Sequence, residues 1–152
     1  MKKKVKICIF LLLFFMVFPT LQPQNAVKAK KVIIYAEKGW QDTGIQLNLG
    51  QYYSIIARGS WISGYDRLSI GPEGVGYGTI TNGALVGWIA NKKPENLGYK
   101  SYTNDIVQHI IRIGDGGHFK SYTDGKLWLG MGEWSGCKEC SGQVEVLITV
   151  LD

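Results

Sequence analysis

No segment of this sequence sustains the 3.6-residue apolar period of an amphipathic helix, which argues against a helical bundle. Histidine is scarce: His109 and His118 lie in separate segments, so a His-based zinc site has few ligands to draw on. Neither a G-x-x-x-x-G-K-[ST] run nor a G-x-S-x-G elbow is present, which removes the P-loop and α/β-hydrolase signatures. Internal repeats are missing. The 4 prolines and 20 glycines are dispersed, so no linker divides the chain.

Charge of one sign is also missing once the N-terminus is set aside. Lys2, Lys3, Lys4 and Lys6 precede an unbroken apolar run over residues 7–18. Val27 and Ala29 then place small residues where signal peptidase requires them. The run is too short to span a bilayer comfortably. The pattern predicts a cleaved secretory signal over residues 1–29, a mature domain over 30–152, no membrane span in that domain, and a secreted or periplasmic location. Five of the 17 basic residues lie in the signal, so 12 remain against 12 acidic ones. The basic pI belongs to the signal, and a nucleic-acid partner loses its electrostatic footing.

What is there points to strands. Five Trp, 8 Tyr and 20 Gly suit an all-β domain with tight turns. Strand-like runs cover residues 31–36, 45–49, 52–57 continuing through 59–63, 83–90, 106–113, 118–122, 126–129 and 144–150. Turn signals lie at 39–44, 50–51, 114–117 and 124–125, and the 50–51 connection predicts a hairpin. About eight short antiparallel strands suggest a sandwich or jelly roll. Trp61, Trp88 and Trp128 sit in strand runs and are expected in the core. Trp134 lies in a loop beside Glu133, either partly exposed near a ligand or plugging the end of the sandwich.

Cys8 leaves with the signal, so Cys137 and Cys140 are the cysteines of the mature domain. C-x-x-C suggests metal or redox chemistry in a reducing cytosol, but a disulfide in an oxidising compartment. Here it sits in a Gly-rich loop before a strand, and a Cys137–Cys140 bond is expected to shape that loop. Asp66, Glu73, Asp115, Asp124 and Glu133 are spread over several loops, with no acid, base and nucleophile in a recognisable constellation. The expectation is a protein that is not an enzyme.

A series of short patterns then occurs in order: Trp40-x-Asp42-Thr43-Gly44-Ile45, Leu47-x-x-Gly50-x-Tyr52, Ala57-x-Gly59-x-Trp61, Gly71-Pro72-Glu73-Gly74, Gly83-Ala84-Leu85-Val86, Gly125-x-Leu127-x-Leu129 and Ser141-Gly142-x-Val144-x-Val146. In this order the chain resembles the PA-I-like galactophilic lectin family, small bacterial β-sandwich domains of which some bind galactosides through calcium. The resemblance implies a jelly-roll-like sandwich with a ligand site on loops at one end. It implies calcium held in an oxygen cage between the loop after the Trp-containing strand and the loop after the G-x-L-x-L strand. Tyr65 then stands near the backbone-carbonyl ligand position, and Glu133 at the acidic ligand position where Asp is usual. Glu139-Cys140 replaces the family's Asn-Asn pair before Ser-Gly, with Glu139 as a further oxygen donor. The family's sugar-contacting His and Gln have no match after Gly74.

The resulting expectation is a carbohydrate-binding lectin-like domain, with Tyr65, Glu133, Trp134 and Glu139 at the ligand. Tyr65, Glu133 and Glu139 are the candidate calcium ligands. The partner is a galactoside-type carbohydrate or a surface protein, and a homo-oligomer is left open. The alternative is a non-catalytic interaction module that kept the fold and lost the sugar and calcium site.

Overall fold

The computed structural model describes residues 28–64, 67–75, 83–94, 110–132 and 137–151. The strands are β1 (Lys28–Tyr35), β2 (Gln41–Leu47), β3 (Tyr52–Ile62), β4 (Ser69–Ile70), β5 (Leu85–Ala90), β6 (Ile111–Arg112), β7 (Gly116–Lys120), β8 (Gly125–Met131) and β9 (Ser141–Leu151). A 3-10 turn, Ala36–Lys38, follows β1. All pairings are antiparallel. One sheet runs β1-β9-β3, with the far edge of β3 shared between β7 and β4; the other runs β2-β8-β5-β6. The expected all-β sandwich is what forms.

Alternation along the long strands builds the layers. Val144, Val146, Ile148 and Val150 of β9 are buried, while Gln143 before them and Glu145 and Leu147 between them face out. On β3, Tyr53, Ile55, Ala57 and Trp61 point inward. They meet Ile45 and Leu47 of β2, Leu85 and Ile89 of β5, and Leu127, Leu129 and Met131 of β8 in one core. Each such side chain contributes roughly 1.5–3 kcal/mol on full burial. β8 is buried on both faces, because Trp128 points away from that core. With Trp40 and Val86 it forms a second cluster, against which Trp88, Ala90 and Ile110 pack. Trp40 and Trp88 meet edge to face, with centroids 6.1 Å apart, and the Trp128 indole N–H donates to the Ala90 carbonyl at 3.0 Å. Trp61 is therefore in the main core as expected, whereas Trp128 and the half-buried Trp88 cover the opposite face of the second sheet.

Two turn expectations are corrected. Residues 50–51 do not make a hairpin, since β2 and β3 belong to different sheets. β9 and β7 occupy both edges of the first half of β3, which leaves β2 to pair with β8. The connection is an arch pinned to the β7–β8 turn: Gly50 N–H donates to Ser121 O, Ser121 N–H to Gln51 O, and Leu49 N–H to the Asp124 carboxylate. Residues 39–44 are likewise only partly a turn, because β2 already begins at Gln41. Thr43 drives this. It is buried, and its hydroxyl donates to Leu127 O at 2.7 Å across the sheet. At the N-terminus, β1 starts at Lys28, so Lys28 and Ala29 pair with Val150 and Thr149 at the sheet edge. The remainder of the expected signal lies outside the described residues.

Among the described residues, one buried side-chain group is left unsatisfied. Tyr53 is fully buried, stacked on Phe119 at 5.6 Å, and its hydroxyl has no hydrogen-bond partner among the described residues. An unpaired buried hydroxyl costs about 1–3 kcal/mol. Tyr53→Phe is therefore expected to raise the urea midpoint, by a stability gain of about 1 kcal/mol. Burial, and then the neighbouring Tyr122, pushes Tyr53 well above the ordinary tyrosine value of 10.0. Burial also raises Tyr122, although the Ile89 N–H bond opposes it. Above pH 10 the unfolded chain loses these protons first, so stability is full below that pH and falls above it. Tyr53→Phe should make this alkaline fall shallower.

Candidate functional site

Several loops open at one end of the sandwich. β3 ends at Ile62 opposite Ser141, where β9 begins. Leu85, the first residue of β5, pairs with Met131, the last of β8. The loop after β3 and the loop between β8 and β9 therefore emerge together. One hydrogen bond here ties the two sheets and a second extends the β5–β8 pairing. The Trp61 indole N–H donates to Gly83 O at 2.7 Å, and Gly132 N–H donates to Ala84 O at 2.6 Å. The 71–75 turn is held against the start of β5 by Leu85 N–H on Pro72 O. Arg112 reaches Glu73 O at 3.1 Å.

Cys137 and Cys140 form the expected disulfide, with Cα atoms 5.2 Å apart. Cys140 is buried in the main core and Cys137 packs against it. Gly64, next to Tyr65 in the loop after β3, lies directly on this bond: a Cβ there would overlap the Cys137 Sγ and would lie 3.5 Å from the Glu139 Cβ. Glu139 is exposed. The structure thus brings Glu139 beside the residue that precedes Tyr65. Tyr65, Glu133 and Trp134 themselves lie outside the described residues, as do Asp66 and His109.

The remaining polar candidates do not converge. His118 is exposed on β7, paired with Ser54. Asp124 is at the opposite end and accepts the Leu49 N–H. Asp42 is tied up on the sheet: it accepts Gly44 N–H at 2.7 Å and the Lys126 ammonium at 2.9 Å. Burial pushes its carboxyl up, but the Lys126 and Gly44 hydrogen bonds and the Lys126 and Lys30 charges together hold it below the ordinary value. Among the described residues, no three His, Cys, Asp or Glu side chains gather as a metal cluster, and no helix is long and apolar enough to cross a membrane. Sequence reasoning missed Gly64, whose fit is a tertiary contact with no local signal.

No family model matches the chain, and no curated protein matches it. Among solved structures, the chain matches one described as the EclA N-terminal domain, a PllA-like lectin, with a TM-score of 0.57 over 80% of this chain and 95% of that chain. This chain shares the fold of that lectin domain. At 18% identity the likeness is one of fold.

Proposed function

We propose that the chain is a secreted, non-catalytic, carbohydrate-binding domain of the lectin type. In this reading residues 1–29 are the cleaved signal and 30–152 the domain. The ligand sits at the end where the loop after β3 meets the β8–β9 loop. The observation that carries the reading is the packing of Gly64 on Cys137, Glu139 and Cys140, on a sandwich shared with a lectin domain. A galactoside-type sugar and calcium are the proposed ligands. Glu133 and Glu139 carboxylates and the Tyr65 carbonyl supply the hard oxygen donors that calcium takes, and Trp134 offers an aromatic face to the sugar ring. A glycan array run with calcium and again with chelator tests this. Galactosides retained with calcium and lost with chelator are expected; no glycan retained in either condition contradicts it.

A second reading is an interaction module that has lost the sugar site. Cys140 stands where the resembled family has an amide, and its sulfur is committed to the disulfide, which favours this alternative. The two readings differ in calcium response. Calcium that binds only the folded state at about 100 times its Kd would add about 2.7 kcal/mol and raise the Tm. The interaction module would show no shift.

A further inference from the structure

Gly64 does not have a positive φ, so its backbone does not demand glycine. The contact does, because the space a Cβ would fill is taken by the Cys137 Sγ, with the Cys140 Sγ at 3.4 Å. The disulfide closes a loop between cysteines only 3 apart in sequence, so it removes little chain entropy and adds little to global stability. What it does supply is a fixed surface. Cys140 N–H donates to Cys137 O at 3.2 Å, closing the turn beneath it. The facing loop is held by its own bonds: Ser63 is buried, its N–H donates to Leu68 O at 3.1 Å, and Arg67 N–H donates to Ser63 O at 3.1 Å. Arg67 has φ 54, a left-handed conformation that a non-glycine residue keeps only when its surroundings impose it. Gly64 thus rests on the sulfur atoms, and Ser63 beside it is tied to Arg67 and Leu68 by backbone bonds.

We propose that Gly64 and the Cys137–Cys140 disulfide form one lock that positions Ser63, Gly64, Arg67 and Leu68 for the sugar, so that sugar affinity depends on the bond while global stability barely does. This rests on the lectin reading of these loops. Gly64 is a positioning residue; it need not touch the sugar.

The test is a cycle on the full chain: wild type, Gly64→Ala, Cys137→Ala/Cys140→Ala, and the three substitutions together. Hydrogen exchange over residues 63–68 and retention on galactose–agarose with calcium are both read. Gly64→Ala should speed exchange in 63–68 about tenfold, as overpacking against a fixed neighbour does. Removing both cysteines should speed it too. In that background Gly64→Ala should add nothing, since the sulfur it strikes is gone. Core amides of β3 and β9 should keep wild-type rates in Gly64→Ala and in the reduced wild type, where Cys140 still fills its place in the core. Equal effects of Gly64→Ala in both backgrounds, or unchanged exchange without the disulfide, would overturn the lock. Should Gly64→Ala fail to fold, reduction of the wild type with dithiothreitol reads the same exchange with no substitution. Retention should fall as exchange rises. Unchanged retention in both variants overturns the ligand part alone. A wild type that is not retained overturns it together with the lectin reading, while the exchange cycle still decides the lock.

Discussion

Trp61→Ala is expected to destabilise the domain by about 3–5 kcal/mol, the range for emptying a fully buried aromatic site. Trp61 is 1% exposed and lies on β3 where three strands meet, paired with Ile70 of β4 on one side and Gly142 of β9 on the other. Its indole also crosses to the second sheet through Gly83 O. Trp61→Phe separates the two roles. It keeps most of the buried area and leaves the Gly83 carbonyl without that donor, for a loss of about 1–3 kcal/mol. Urea unfolding of the two variants checks the magnitudes. Gly83 adjoins Ala84, whose carbonyl holds Gly132 at the start of the β8–β9 loop. On the proposed lectin reading, Trp61→Phe should therefore weaken sugar binding more than Leu47→Ala at the far end, although Leu47 is fully buried and its truncation costs about 2–5 kcal/mol.

Gly116→Ala should cost about 2–4 kcal/mol, from left-side backbone strain and a clash that cannot be relieved by a side chain. Gly116 has φ 138, and a Cβ there would overlap the Ile55 carbonyl oxygen, with the Ile56 Cα at 3.1 Å. The obstacle is the backbone of β3, to which β7 is paired through Gly116 and Ile56. The chain escapes only by detaching the start of β7, which caps the loss. Gly114→Ala is the control. Its φ of 63 is also left-handed, but the nearest atom to a Cβ is the Glu73 Cα at 3.8 Å. About 1–2 kcal/mol of backbone cost is expected there, with no clash. Thermal melts of the pair check the difference.

These glycines also show what was legible before the structure. Residues 114–117 read as one turn because Gly-Asp-Gly-Gly carries strong turn chemistry. Only Gly114 and Asp115 turn; Gly116 and Gly117 enter β7, because β3 offers an edge there that nothing local announces. The hairpin expected at 50–51 gives way to an arch for the same reason. Its residues suit a hairpin and an arch equally, and sheet membership is decided by β7 and β9, far along the chain. β9 and β3 were legible because period-2 alternation survives where one face is solvated. On β8 it does not survive: Trp128 on one face and Leu127 and Leu129 on the other are all buried. The disulfide was legible from spacing and compartment. Of the candidate site, Glu139 was named from sequence, but its neighbour Gly64 became visible only through the sulfur it packs on.

The proposed sugar site lies where the loop after β3 meets the β8–β9 loop. An NMR titration of the protein with methyl galactoside in the presence of calcium tests it most directly. Amide shifts should gather at Ser63, Gly64, Gly132 and Cys137 through Cys140, and chelator should abolish them. No shifts, or shifts gathered at residues 48–51 and 121–124 of the opposite end, would contradict it.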